Sequence, residues 1–130
     1  MKAPNQWSVR IVRKTVLIAL VALLAGCGPK VEVESDASKA EKVAKAGLTQ
    51  DYFDPSAVQY RNMVTKGKDS PGGYTFCGEL NGKNKYGSYT GFKRFYSRAE
   101  KVGDAYQFKF GYTEGEKDDF AQNWMVFCQW

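Results

Sequence analysis

Aromatic residues occupy every second position from Tyr106 through Phe108 and Phe110 to Tyr112, with the polar Gln107 and Lys109 interleaved. A period of two marks an extended strand with one buried face, because successive side chains on a strand point to opposite sides. The pattern predicts a half-buried antiparallel strand, with all four aromatics on one face.

Two further segments supply partners for it. Tyr74, Phe76, Gly78 and Leu80 alternate with Thr75, Cys77 and Glu79, and Asn81-Gly82 follows as a signal for a tight reversal. The returning strand is predicted over residues 89–97, and Gly87 and Gly91 suggest a bulge or a close backbone approach. Upstream, Ser38-Lys39-Ala40-Glu41 has the form of a capping box, which predicts a helix from Ser38 to Ala46 stopped by Gly47. Its apolar residues are mostly alanine, so it depends on docking to the rest of the domain. Asp54-Pro55 predicts a second short helix, with Asp54 as N-cap, reaching Tyr60. Met63 to Thr65 reads as extended, and Lys66 to Gly73 as a flexible connection. At the C-terminus Phe120, Trp124, Phe127 and Cys128 recur at helical spacing behind Asp118 and Asp119, which favours a helix, although Met125 to Phe127 equally suit a strand. The expected fold class is α+β: short N-terminal helices, an antiparallel sheet of three or four strands, and a C-terminal helix, in a single domain over residues 37–130.

The N-terminus has another organisation. Lys2, Arg10, Arg13 and Lys14 precede an unbroken apolar run from Val16 to Leu24. That run is shorter than the roughly 20 residues a membrane-spanning helix needs, and it has the parts of an export signal. Leu24-Ala25-Gly26-Cys27 closely resembles the lipobox of bacterial lipoproteins. The resemblance implies cleavage after residue 26, a diacylglyceryl group on Cys27, and a lipidated tether over residues 27–36. The competing readings are an ordinary secretory signal and an uncleaved anchor. Gly28 lacks the acidic character that, by resemblance to the sorting rule of enteric bacteria, would retain the protein at the inner membrane. The expected location is therefore the outer membrane, facing the periplasm. Loss of residues 1–26 removes four of the 19 basic residues and leaves 15 against 14 acidic, a net charge of +1, so a basic-protein argument for nucleic acid loses its support. With Cys27 committed to lipid, Cys77 and Cys128 remain as an even pair in an oxidising compartment, and a disulfide is expected between them.

The chain contains no histidine, which excludes Ser-His, Cys-His and His-metal mechanisms together. Glu114, Glu116, Asp118 and Asp119 are close enough to suggest paired-carboxylate chemistry or calcium, but they sit in a glycine-containing segment that reads as a solvated turn, and their spacing does not follow a calcium loop. No catalytic residue, metal or cofactor is assigned. The distinctive surface candidate is the stretch from Asn81 to Tyr96. There Lys83, Lys85, Lys93 and Arg94 interleave with Tyr86, Tyr89 and Phe92 in a pattern able to grip anionic groups and stack on flat ones. The expected partner is an envelope protein or an anionic glycan, with the membrane engaged only through lipid. The plainer reading is a hairpin with half-buried aromatics and solvated lysines.

DPSAVQYRN from Asp54 and CGELNGKNKYGSYTGFKRF from Cys77 resemble a group of small, mostly uncharacterised bacterial and phage-borne proteins, over most of residues 51–96. The resemblance implies structural roles for Asp54, Arg61 and Asn62, with Asp54 capping a helix and Asn62 ending it, and it transfers no activity. The function expected is a non-enzymatic binding module. The alternatives are a prophage-type exclusion lipoprotein that blocks a channel or injection machinery, an inhibitor of a lysozyme-like hydrolase, and a structural subunit of a secretion or pilus assembly.

Overall fold

The computed structural model describes residues 32–67 and 72–129. The predicted signal peptide, Cys27 and the first part of the predicted tether lie outside the described residues, as do residues 68–71 of the predicted connection. From Glu34 onward the chain forms one compact unit. Helix α1 (Asp36–Leu48) is followed by a 3-10 turn (Pro55–Ala57), strands β1 (Gln59–Lys66), β2 (Gly73–Asn81), β3 (Lys93–Val102) and β4 (Ala105–Thr113), and helix α2 (Phe120–Cys128). The strands form one antiparallel sheet in sequence order. The α+β class, the helical C-terminal segment and the Cys77–Cys128 disulfide agree with the sequence reading.

The two helices cover opposite faces of the sheet. Ala40, Ala44 and Leu48 of α1 pack with Phe76, Leu80, Phe95, Ala99 and Tyr106. On the other side, Phe120 and Cys128 of α2 pack with Cys77 and Tyr96. Strands β2 and β3 supply both cores by simple alternation, Phe76 and Phe95 to one and Cys77 and Tyr96 to the other.

The aromatic stripe on β4 is the first expectation to be corrected. Arg98 stands opposite Phe110 while Ala99 stands opposite Phe108, so Lys109 is an extra, unpaired residue. A bulge of this kind advances the chain by one position and exchanges its faces. Phe108 therefore packs with the α1 core, whereas Phe110 and Tyr112 pack with the α2 core. A second bulge lies in β1, where Asn62 and Met63 together oppose Gly78 and Asn62 adopts φ 52°. Asn62 ends no helix. It tolerates the left-handed conformation better than most residues, and its amide donates to Glu79 Oε2 at 2.7 Å.

Asn81-Gly82 is not the hairpin turn either. Asn81 belongs to β2 and is buried, with its side-chain oxygen accepting from Gly91 N–H at 2.9 Å. Gly82 is required by packing, since a Cβ there would lie 2.8 Å from the Tyr52 ring. The chain instead makes an excursion over residues 82–92, and the returning strand starts at Lys93 rather than at residue 89. The tight two-residue turn occurs between β3 and β4, at Gly103 (φ 63°) and Asp104.

Helix α1 begins earlier than its capping box implied. Ser35 is the N-cap, its hydroxyl accepting from Ser38 N–H at 3.2 Å, while the Ser38 hydroxyl donates to Glu34 at 2.9 Å. Gly47 is not a cap but lies within the helix, where a Cβ would meet Phe108 Cγ at 2.1 Å. The segment after Asp54-Pro55 makes only the 3-10 turn, and Tyr60 is already in β1. The Asp54 side chain caps no backbone N–H there and instead accepts the Ser56 hydroxyl at 2.7 Å.

This arrangement gives the domain two poles. Asp36 at the start of α1 lies beside Lys101 near the β3–β4 turn, with 3.7 Å between the charged groups. At the other end of the sheet, Tyr52 donates to or accepts from Thr113 at 3.1 Å and packs on Gly82. The segments 49–58, 82–92 and 114–119 gather at that second pole.

Candidate functional site

The 82–92 excursion is bonded to itself between Gly82 and Thr90. Lys83 and Tyr89 form an isolated antiparallel bridge, and Thr90 N–H donates to Gly82 O at 3.1 Å. At the tip the Asn84 side-chain oxygen accepts from Tyr86 N–H (3.0 Å) and Ser88 N–H (3.1 Å). Gly87 closes the turn with φ 80°, a conformation that favours glycine. The result is a cross-bonded platform with Tyr86 at its end, 79% exposed.

A neighbouring segment buttresses this platform. Tyr89 Oη donates to Ala57 O at 2.9 Å, and Lys83 Nζ lies 4.0 Å from Asp54 Oδ2 and 5.3 Å from the centre of the Tyr89 ring. The Ser56 hydroxyl holds the Asp54 carboxyl below its ordinary range, with a further contribution from Lys83. Phe53, immediately before this contact, is 69% exposed. Two large aromatics thus stand out in solvent on segments that are tied to each other.

The structure brings together only some of the residues of the predicted binding face. Lys83, Lys85, Tyr86 and Tyr89 share the excursion, with Lys85 Nζ 5.1 Å from the Tyr86 ring centre. Lys93 and Arg94 are consecutive on β3, so they point to opposite sides of the sheet. Lys93 faces the α1 side and lines a polar pocket of about 270 Å³ with Lys83, Tyr52 and Glu114. Arg94 faces the α2 side, where its guanidinium makes a two-pronged bond to Glu114 and lies 5.6 Å from the Trp124 ring centre.

Arg94 belongs to a row of alternating charges across the sheet. Arg61 donates to both Glu79 oxygens, at 2.9 and 3.2 Å, and its guanidinium lies 3.8 Å from the centre of the Phe92 ring. Hydrogen bonds from Arg61 and then Asn62 hold the Glu79 carboxyl below its ordinary range, and the bond from Arg94 does the same for Glu114. Between this row and α2 lies a cleft of about 310 Å³, lined by Val64, Trp124, Glu79, Arg94 and the disulfide. Sequence reasoning identified neither the Arg61–Glu79 pair, which depends on strand register, nor Phe53, whose exposure has no local signature.

Among the described residues, no group of three or more His, Cys, Asp or Glu side chains is placed to hold a metal ion. No helix among them is long and apolar enough to cross a membrane. Comparisons with family models, curated proteins and solved structures find no match to this chain.

Proposed function

We propose that the chain is an envelope lipoprotein, anchored through Cys27, that acts as a non-enzymatic binding module with the loop pole as its contact surface. The observation that carries this reading is the self-bonded 82–92 excursion holding Tyr86 outward beside Lys83, Lys85 and Tyr89. A side chain presented in a fixed position loses little conformational entropy on binding, which favours aromatic anchors on rigid loops. The partner of this surface is an envelope protein or an anionic glycan. The anchor raises the effective concentration of the domain near such a partner.

The test is a crosslinking pull-down of the lipidated protein from its native envelope, alongside a Phe53→Ala/Tyr86→Ala variant. The reading expects one component captured by the wild type and lost by the variant; equal capture, or no capture, rejects the site. In the same preparation Cys27→Ala is expected to move the protein to the soluble fraction. Unchanged membrane retention would show that the apolar run serves as the anchor.

One observation favours a second reading, an assembly subunit. Met125 and Val126 are 54% and 68% exposed on the outer face of α2, next to the cleft at Val64 and Trp124. An apolar strip of this kind suits a fixed protein contact. Self-association abolished by Val126→Asp would support the assembly reading over the first.

A further inference from the structure

We infer that the pocket between the 82–93 and 113–116 segments is a subsite for a sugar acid, meaning a single polyhydroxylated ring carrying one anionic group. The inference rests on the binding-module reading and names the chemistry of its ligand. The two walls of the pocket differ in how far their charges are already satisfied. On one wall Lys93 makes no ion pair among the described residues, its charge acting on Glu114 only at longer range, and Lys83 approaches Asp54 only at 4.0 Å. Positive charge is therefore available for an anion.

On the opposite wall stand Glu114 and Glu116. Arg94, reaching from the other side of the sheet, already compensates Glu114, and Glu116 accepts Thr113 N–H at 2.7 Å. Each carboxylate has about four acceptor sites, more than these bonds use. This wall is suited to accept hydroxyl donors. A bare phosphate fits less well, because three of the backbone donors along the pocket are already occupied. Thr90 N–H is bonded to Gly82 O, Gly91 N–H to the Asn81 side chain, and Glu116 N–H to Thr113 O. The Tyr52 ring and Leu80 supply an apolar lining for the C–H face of a sugar ring. At about 270 Å³ the cavity lies just under the size range of drug-sized ligand sites, which suits one ring.

The test is titration of the ¹⁵N-labelled full chain with glucuronate, glucose and inorganic phosphate, followed by amide chemical shifts. Glucuronate is expected to shift Thr90, Gly91 and Gly115 saturably, with a Kd on the order of 1 mM. Glucose is expected to bind about three- to fivefold more weakly, the worth of an exposed charge pair. Lys93→Met is expected to erase that difference without disturbing the rest of the spectrum, whereas Lys42→Met on α1 is expected to preserve it. The inference is overturned by no saturable shift, by equal binding of glucose, by phosphate reproducing the glucuronate shifts, or by an undiminished difference in Lys93→Met. A silent titration beside a partner lost in the Phe53→Ala/Tyr86→Ala pull-down would remove the sugar acid and leave the binding module standing.

Discussion

Helix α1 is joined to its side of the sheet through small residues, whereas α2 is joined to the other side through aromatic rings and a covalent bond. Ala40 and Ala44 bring the α1 backbone close enough for the buried Ser97 hydroxyl to donate to Ala44 O at 3.0 Å, and Gly47 lies against Phe108. The nine residues of α2 are too few for a helix stable by itself. Its side of the sheet centres on Tyr96, 1% exposed, whose ring lies 5.3 Å from Phe120 and 5.5 Å from Phe127 between centres. Aromatic pairs tolerate looser geometry than backbone contact, and the disulfide at Cys128 then fixes the end of the helix. The lesson is that close fit secures a long helix, while a short one needs large rings and a crosslink.

The largest expected effect tests the crosslink. Cys77 and Cys128 are 51 residues apart, and closing a loop of that size is worth about 4 kcal/mol in the chain-entropy model. Cys128→Ser is expected to lose an amount of that order, read from urea denaturation under oxidising conditions. Hydrogen exchange should rise first in α2 and leave the amides of α1 protected. Equal denaturation midpoints would mean that the aromatic cluster suffices without the bond, and faster exchange in α1 would mean that the two faces are not independent.

Gly47→Ala tests the opposite face, and its sign is the informative part. Alanine at an unhindered helix position gains about 1 kcal/mol over glycine. Here a Cβ would overlap the Phe108 ring, so the variant is expected to be less stable by roughly 1–3 kcal/mol. A gain in stability would show that α1 can move off the sheet, and the contrast with α2 would disappear.

The same contrast explains which parts of the fold were legible in the sequence. The Cys77–Cys128 pair followed from counting, and the C-terminal helix from the spacing of Phe120, Trp124 and Phe127, because each needs only local or stoichiometric information. The four aromatics of β4 looked like one face, since Lys109 is as suitable for an exposed position as for a bulge and nothing local separates the two. Asn81-Gly82 has the composition of a turn, yet its glycine answers to Tyr52, thirty positions upstream, a contact that only folding creates. At the candidate site, Tyr86 and Tyr89 were legible because basic and aromatic residues are concentrated around them. The separation of Lys93 from Arg94 followed once the start of β3 was fixed, because neighbours on a strand take opposite faces. Arg61 and Asn62 stood out only by resemblance, and their bond to Glu79 required the register of β1 on β2.

The smallest effect concerns acid, and it too distinguishes the faces. Glu79, Glu100 and Glu114 have their carboxyls held below the ordinary range, by Arg61, Arg98 and Arg94 respectively, and all three arginines act from the α2 side or its edge. A carboxyl with a depressed folded-state pKa contributes stability that is fully present above its unfolded value, about 4.3 for glutamate, and is lost as pH falls through the lower folded value. Glu34, beside the start of α1, is likewise held low by Lys42 and Ser38, so acid should weaken both sides, the α2 side through more pairs. Glu79→Gln removes one of these contributions, so its denaturation midpoint is expected to fall slightly below the wild type at pH 7, and the gap is expected to be narrower at pH 3. The effect is small because the Arg61 guanidinium is half exposed, where solvent screens the pair. A gap of equal size at both pH values would show that Glu79 acts through packing at the Asn62 bulge rather than through its charge. The acid sensitivity of the α2 side would then rest on Glu100 and Glu114 alone.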